Sequence, residues 1–552
     1  MSAPIRIGTR GSDLALWQAR HVAGRLEAAG GKCEIVVLET RGDRIDDVPL
    51  QSVEGKGFFT KELEDALLEE RVDLAVHSHK DLPSEQPPGL VIAAVPARAV
   101  AEERLLVAPA AHDQEARFLP LKRGARVGTS APRRSAQLTA LRADLVLQSL
   151  RGNVPTRVKR LREGRHDAIV LAAAGLERLG LDLGGLVVVT LPTDLLVPAP
   201  AQGALAIQTR ERDRELRALC ERVLADPTAA ATVAAERGLL VALGGGCNLP
   251  LGVALRREGE RSWRAIAFLG ADHPLPHQPA RWCQATAADP AAAAAAVAER
   301  LTGGEATGHG PLAGLRVALT GTRGAGEELE ARLATLGATV LREEVLAIED
   351  LDGSALPALV TTLRAGDALA VTSAQAARRL RGTAVREGVR VAAVGRATAR
   401  ELEAAGLSVD LVGQQGAREL ARALDLAPGA RVLFPCAENA RTELEDELVA
   451  RGAKVERVVL YRTRAKHDVS LHPEADVRLY LSPSAVAAAL GWERAHAPRA
   501  RRVAMGAATT EALSAAGLAH ERAASTDPED LLDALVRAGQ PPRPLSARTE
   551  SR

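Results

Sequence analysis

The sequence predicts an α/β protein of several domains, and three observations carry that expectation. Short apolar runs alternate with amphipathic stretches through the first 210 residues. From about Asp213 to Gly303 the pattern changes to helix periodicities flanking strand candidates. In the second half a strand-plus-helix pattern returns about 110 residues later, a period too long for a solenoid repeat.

In the first part, Ile5–Gly8, Glu34–Glu39, Val72–Val76, Leu105–Ala108, Leu145–Gln148, Ala168–Leu171 and Ala204–Gln208 read as buried strands. Helix patterns at Leu14–Ala28, Thr60–Glu70, Arg133–Arg142 and Val154–Arg162 lie between several of them. This rhythm argues for largely parallel sheets with helices on both faces, and ligands on such sheets sit at the carboxyl ends of strands. Arg264–Leu269 is a strand of a smaller α+β domain. The glycine-rich stretch Thr302–Pro311 reads as a linker, after which Leu315–Thr320 begins another α/β segment. There Ala370–Leu380 resembles Leu479–Ala489, and the segment from Val391 resembles that from Arg502, as two similar lobes facing across a cleft would. The tail after Gly539, rich in Pro, Arg and Ser, is expected to be disordered.

Composition excludes more than it assigns. The 71 Lys+Arg nearly cancel the 70 Asp+Glu, so nothing global attracts nucleic acid or a membrane, and an anion site must be built locally. No signal-peptide core opens the chain, and no run approaches the ~18–20 apolar residues that span a bilayer. Cysteines 33, 220, 247, 283 and 436 show no CxxC spacing, so neither a zinc site nor a disulfide framework is indicated. A reduced, cytoplasmic monomer is expected.

Arginines gather where strands end and helices begin: Arg10, Arg133 and Arg134 after Gly128–Pro132, Arg151, and Arg157 one turn into its helix. Exposed N–H groups, the helix dipole and bidentate guanidiniums favour carboxylate or phosphate there. Thr129 and Ser130 are placed to open the helix that carries Arg133. For any one arginine, an ordinary surface role fits as well. Ser78, Lys80 and Asp81 close a strand in consecutive turn positions, and an ionised Asp81 could stabilise a developing cation or shuttle a proton. Local sequence alone favours a turn or cap aspartate. His77 and His79 have no accompanying ligand cluster, so a structural role outweighs a metal. Glycines around Cys247 leave its sulfur accessible for covalent attachment, although most single cysteines are inert core residues. The loop Ser52–Thr60, with Lys56 and two phenylalanines, suits a mobile lid or an ordinary surface loop.

Taken in order, TRGSDLALWQA, TRGD, GKGFFTKELE, DLAVHSHKDLP, VGTSAPRRSAQL, SLRGNVPTR, AGLERLGL, PAQGALAI and GGGCNLPLG resemble the hydroxymethylbilane synthase (porphobilinogen deaminase) family over residues 4–303. The resemblance implies an enzyme that joins four porphobilinogen units head to tail with release of ammonia. It makes Cys247 the thioether anchor of a dipyrromethane cofactor and Asp81 the catalytic carboxylate. It assigns Lys80, Arg133, Arg134, Thr129 and Ser130 to the cofactor, and Arg10, Ser12, Lys56, Arg151, Arg157 and Arg178 to substrate carboxylates. Departures are His79, in a slot commonly larger and apolar, and Ala201, where glycine is usual before the glutamine.

The second half resembles the uroporphyrinogen-III synthase family, on its duplicated pattern and on the segments Ala430–Pro435, Arg441–Leu444, Leu448–Val455 and Val458–Thr463. The implied reaction closes hydroxymethylbilane to a macrocycle with inversion of the last ring, without metal or organic cofactor. Tyr461 would assist departure of the hydroxyl, while Thr372, Ser373, Ser482, Ser484 and Thr509 would line the interlobe cleft. Arg323 is displaced by two positions from the usual Thr-Arg end of the first strand, and Leu481 replaces a frequent hydroxyl residue.

The two resemblances together imply two periplasmic-binding-protein-like α/β domains plus a small α+β domain, followed by a two-lobed α/β unit. The expected partition is 1–100 with 198–212, 101–197, and 213–303, with a linker at 304–311. The lobes are 312–345 with 463–540, and 346–462, with a disordered tail at 541–552. Two rivals remain: a simple binding module, which needs neither Cys247 nor Asp81, and a degenerate second half serving only for interaction.

Overall fold

The structure is a computed structural model that describes residues 3–40, 60–245, 249–271, 280–303, 309–413, 416–496 and 499–539, with the backbone of 547–549. Lys56, Cys247 and residues 304–308 of the expected linker lie outside the described residues. The fold is mixed α/β in several sheets. The chain divides into two units, Met1–Gly314 with Ala334–Ala338 and Pro542–Arg552, and Leu315–Leu333 with Thr339–Pro541. Among the described residues no helix is long and apolar enough to cross a membrane.

Strands β1 (Ile5–Arg10), β2 (Cys33–Leu38), β3 (Leu74–Ser78), β4 (Leu90–Ala94), β5 (Glu103–Val107), β6 (Arg126–Gly128), β7 (Val146–Gln148), β8 (Ala168–Ala172), β9 (Val187–Leu191) and β10 (Leu205–Arg210) build two sheets of the first unit. The first sheet has the order β2-β1-β3-β10-β4. Its strands are parallel except β10, which runs against both β3 and β4. In the second sheet β6 lies parallel to β7 and β8, while β5 runs antiparallel to both β8 and β9. The reversed strands are those that follow a passage between sheets, from β4 to β5 and from β9 to β10, without the helical crossover that makes neighbours parallel.

Helix Asp13–Ala28 shows how sequence places an element. Ser12 caps it by accepting from the Ala15 amide at 3.4 Å, and Ala15, Ala19, Val22 and Leu26 form its buried face. That face meets Ile5, Ile7, Leu74, Val76 and Ile207 of the sheet. Each fully buried Ile or Leu contributes about 1.5–3 kcal/mol.

The α+β segment is an antiparallel meander of β11 (Leu251–Gly259), β12 (Ser262–Leu269) and β13 (Arg281–Ala287). Helices Pro227–Ala242 and Pro290–Thr302 belong with it, and each is opened by an aspartate, Asp226 or Asp289, with proline at its first position. Leu239, Val253, Ala267, Cys283 and Val297 share their core.

The second unit contains one continuous sheet. Its strands are β14 (Arg316–Thr322), β15 (Thr339–Asp350), β16 (Ala368–Val371), β17 (Arg390–Val394), β18 (Leu411–Gly413), β19 (Arg431–Ala437), β20 (Lys454–Ala465), β21 (Val477–Tyr480), β22 (Arg501–Ala504) and β23 (Glu521–Arg522). Their order is β18-β17-β16-β19-β20-β15-β14-β21-β22-β23. The internal repeat is visible in it. β16 leads to Ser373, which caps the next helix through the Ala376 amide at 3.1 Å, and β21 leads to Ser482, which does the same through Ala485 at 3.2 Å. β17 and β22 are each followed by a glycine, Gly395 (φ 77°) and Gly506 (φ 134°), before their helices. The long strands β15 and β20 meet antiparallel between the two repeats, with Asp350 opposite Tyr461.

The expected disorder of the whole tail needs one correction. Ala547–Thr549 forms a short strand, β24, paired antiparallel with Val187–Val189. A β-branched edge such as β9 is a ready template for an added strand.

Candidate active sites

In the first unit β3 runs out at Ser78 and the chain tightens into one 3-10 turn, His79–Asp81. The His79 amide donates to Ala204 O at 3.0 Å, and Arg237 of helix Pro227–Ala242 donates to the carbonyls of His79 and Leu82, at 3.2 Å each, and of Pro83. Asp81 is exposed and lines a cleft of about 80 Å³ with Arg10, Ser12, Gln18, Thr60 and Ser78. His77 is hydrogen-bonded to Gln208 at 3.0 Å, and burial pushes it down to about 4 and His79 to about 3, so both are neutral at pH 7. No group of three or more His, Cys, Asp or Glu able to hold a metal occurs among the described residues.

Beside Asp81 stands a compact charge network. Lys80 Nζ donates to Gln202 Oε1 at 3.0 Å, and Arg133 Nη2 reaches the same oxygen at 3.2 Å. Arg133 and Arg134 both bond Glu103 Oε1, at 2.5 and 3.0 Å, and Arg134 adds Glu103 Oε2 at 2.7 Å. Glu103 is wholly buried. Burial opposes its ionisation, but Arg134 and Arg133 outweigh that and hold the carboxyl far below its ordinary range. Burial likewise pushes Lys80 down to about 8, with Asp81 and Glu103 resisting and the two arginines assisting.

Ser130 does not open the next helix as expected. Ala131 occupies the cap without a side-chain bond, because Ser130 Oγ turns to the following loop. There it donates to Leu150 O at 2.8 Å and accepts from the Leu150 amide at 3.0 Å, which fixes the backbone just before Arg151. Thr129 is buried and accepts from the Ala131 amide at 3.4 Å. Arg157 is held by Gly152 O at 2.7 Å; burial lowers its guanidinium, Arg134 adds to that, and Asp81 opposes it. Arg178 donates to Gly203 O at 2.7 Å and lies over the Trp17 ring at 5.6 Å.

Three residues of this site were not singled out from sequence: Glu103, Gln202 and Arg237. Each touches the site through partners about 30 residues away or more, or through backbone oxygens, which local patterns do not reveal. Gln202 lay within the quoted motif PAQGALAI, and that was the one signal toward it.

In the second unit Tyr461 on β20 is buried, its hydroxyl 2.8 Å from Ser373 Oγ and its ring 4.7 Å beneath the Arg379 guanidinium. Burial raises the phenol, while Ser373 and Arg379 oppose that. Asp350, opposite Tyr461, binds Arg379. Thr372 precedes Ser373 and Ser482 caps its helix, whereas Ser484 lies in that helix and Thr509 is buried in helix Ala507–Ala515. Arg323 is 91% exposed, with Glu344 4.0 Å away.

Comparison with known proteins assigns both halves. Residues 5–218 match the family model "Porphobilinogen deaminase, dipyromethane cofactor binding domain", and residues 327–533 match "Uroporphyrinogen-III synthase HemD". Porphobilinogen deaminase of Roseiflexus castenholzii is 43% identical over 317 residues, covering 57% of this chain and 100% of that protein. The enzyme of Nitratidesulfovibrio vulgaris (Miyazaki F) is 49% identical over 247 residues, 44% of this chain and 75% of the relative. Uroporphyrinogen III synthase of the extreme thermophile Thermus thermophilus, a solved structure, aligns over 41% of this chain and 98% of that one, with 23% identity and a TM-score of 0.30.

The two matches define an enzyme of porphyrin biosynthesis, a transferase joined to a lyase. The chain belongs to the porphobilinogen deaminase family and carries a uroporphyrinogen-III synthase domain fused behind it. It couples porphobilinogen into hydroxymethylbilane and cyclises that product to uroporphyrinogen III. Its cofactor is dipyrromethane, attached covalently through cysteine. The donor set suits that group. Lys80, Arg133 and Arg134 form one network, Arg157 is within its electrostatic reach, and Glu103 offsets only one of these cations. The surplus positive charge is what several carboxylate arms require.

Proposed function

We propose that the loop of Cys247 carries the thioether and that Lys80, Arg133, Arg134, Thr129 and Ser130 surround the cofactor's carboxylates. The bound dipyrromethane supplies the pyrrole carbon to which the first porphobilinogen is joined. Arg10, Ser12, Arg151, Arg157 and Arg178, with Lys56, hold the acetate and propionate arms of incoming and growing units. Asp81 faces the substrate pyrrole: its carboxylate stabilises positive charge there as ammonia departs, then holds the proton released when the new carbon–carbon bond forms. Gln202 orients Lys80, and Arg237 fixes the turn that presents Asp81. The observation that carries this reading is one exposed carboxylate in a cleft shared with Arg10, directly beside a buried cluster of cations.

We read the first unit as two periplasmic-binding-protein-like domains, 1–100 with 198–212 and 101–197, and a small third domain, 213–303, which the separate sheets β2-β1-β3-β10-β4, β9-β5-β8-β6-β7 and β11-β12-β13 support. In the second unit, Tyr461 donates to the departing hydroxyl with Ser373 as its partner, and Thr372, Ser482, Ser484 and Thr509 bind side-chain carboxylates, with inversion of the last ring. A cytoplasmic monomer is the proposed working form.

Feeding porphobilinogen to the full chain tests both halves at once. The wild type is expected to release the type III isomer. Asp81→Asn should retain its cofactor yet lower consumption of porphobilinogen by about 10²–10⁴-fold. Tyr461→Phe should consume substrate normally but release less type III product. Normal turnover in Asp81→Asn, or unchanged type III output in Tyr461→Phe, contradicts the corresponding assignment.

A further inference from the structure

We propose that Glu103 is a positioning residue of the first reaction, a buried carboxylate that sets Arg133 and Arg134 in one fixed pose ready for the cofactor's carboxylates. This rests on the reading above that those arginines bind the cofactor. No family motif quoted above contains Glu103; it is the first residue of β5 and has no exposed surface.

The geometry explains why such a residue is needed. Arg133 and Arg134 are consecutive in the first turn of helix Pro132–Leu141. Side chains one position apart on a helix point in different directions, and the N-terminal end of a helix disfavours cations. Here both guanidiniums nevertheless converge on one carboxylate through three hydrogen bonds of 2.5, 3.0 and 2.7 Å. Each is also anchored to one backbone oxygen. Arg133 Nη1 donates to Val197 O at 3.3 Å, and Arg134 Nη1 to Val170 O at 3.0 Å. Gln202 then passes the order on, because its Oε1 accepts from both Arg133 and Lys80. Lys80, Arg133, Arg134 and Arg157 against Glu103 and Asp81 leave two positive charges, enough for incoming carboxylates and held in a constant arrangement. Without Glu103 the arginines repel each other and lose the anion that lies between them.

The test uses full-length Glu103→Gln and Glu103→Asp, read by intact mass and by KM and kcat. Glu103→Gln is expected to carry the cofactor on about tenfold fewer chains, with KM for porphobilinogen raised about tenfold in the loaded fraction. Glu103→Asp keeps the charge and is expected to recover most of the loading, with an intermediate KM. Full loading and unchanged KM in Glu103→Gln overturns the proposal; so does equal impairment of both variants in step with lost stability, which marks a mere strand staple. Should Glu103→Gln fail to fold, Glu103→Asp decides alone, and wild-type loading with wild-type KM overturns the proposal. Arg133→Gln and Arg134→Gln separate the two levels. If both load fully, the arginines do not hold the cofactor and the proposal falls with that reading. If they fail to load while Glu103→Gln loads fully, only the role of Glu103 falls.

Discussion

Ala201 departs from its family motif, where glycine is usual, and it lies where an L residue is strained. Its φ is 61°, in the left-handed region, and its side chain is wholly buried. A non-glycine residue there costs about 1–2 kcal/mol. The position persists because the Ala201 amide donates to Glu236 at 2.7 Å and the turn delivers Gln202 to Lys80 and Arg133. Ala201→Gly is therefore expected to raise stability by about 1 kcal/mol in denaturant unfolding, part of the relief being offset by the freer unfolded chain; a lower midpoint would contradict the strain. Lys80 gives a prediction in pH. Its ammonium is pushed down to about 8 by burial, so it is charged below that value and neutral above it. Loss of the cation weakens its hold on the cofactor's carboxylates, and loading of the apo chain by porphobilinogen should fall as pH increases through about 8. Loading that stays flat through that region would count against a binding role for Lys80.

At the scale of elements, the periodicity of Leu14–Ala28 located the first helix to within a residue, because a 3.6-residue apolar face is a local property. The strand from Ala168 was equally legible as a continuous apolar run. The reversed directions of β5 and β10 were not, since strand direction depends on which sheet the chain has just left. Nor was the Ser130 cap, which a partner twenty residues on, Leu150, diverts. The second unit holds a further nonlocal device: Arg478 on β21, with no exposed surface, between Glu343 and Glu493. It bonds Glu343 at 2.7 and 2.8 Å, and Tyr480 bonds the same Glu493 at 2.5 Å. Removing one partner leaves buried charge uncompensated. Arg478→Ala should cost about 3–5 kcal/mol by denaturant unfolding of the second unit; a loss below about 1 kcal/mol, the ceiling for an exposed pair, would show that the cluster is solvated.

At the scale of the molecule, function was more legible than geometry. Nine short motifs, taken in order, carried the resemblance of the first half, and the family match over residues 5–218 agrees with it. The buried groups that orient them, Glu103 and Gln202, act across 30 and 122 residues of chain and are seen only in the fold. The second half showed its duplication in sequence, and its displaced Arg323 is exposed, with Glu344 4.0 Å away. The proposed function turns on one covalent assignment, a two-pyrrole primer carried by Cys247. Intact mass of the purified full chain measures it directly. The predicted result is an increment equal to two pyrrole units in the wild type and its absence in Cys247→Ala; an active wild-type chain of unmodified mass would contradict the account.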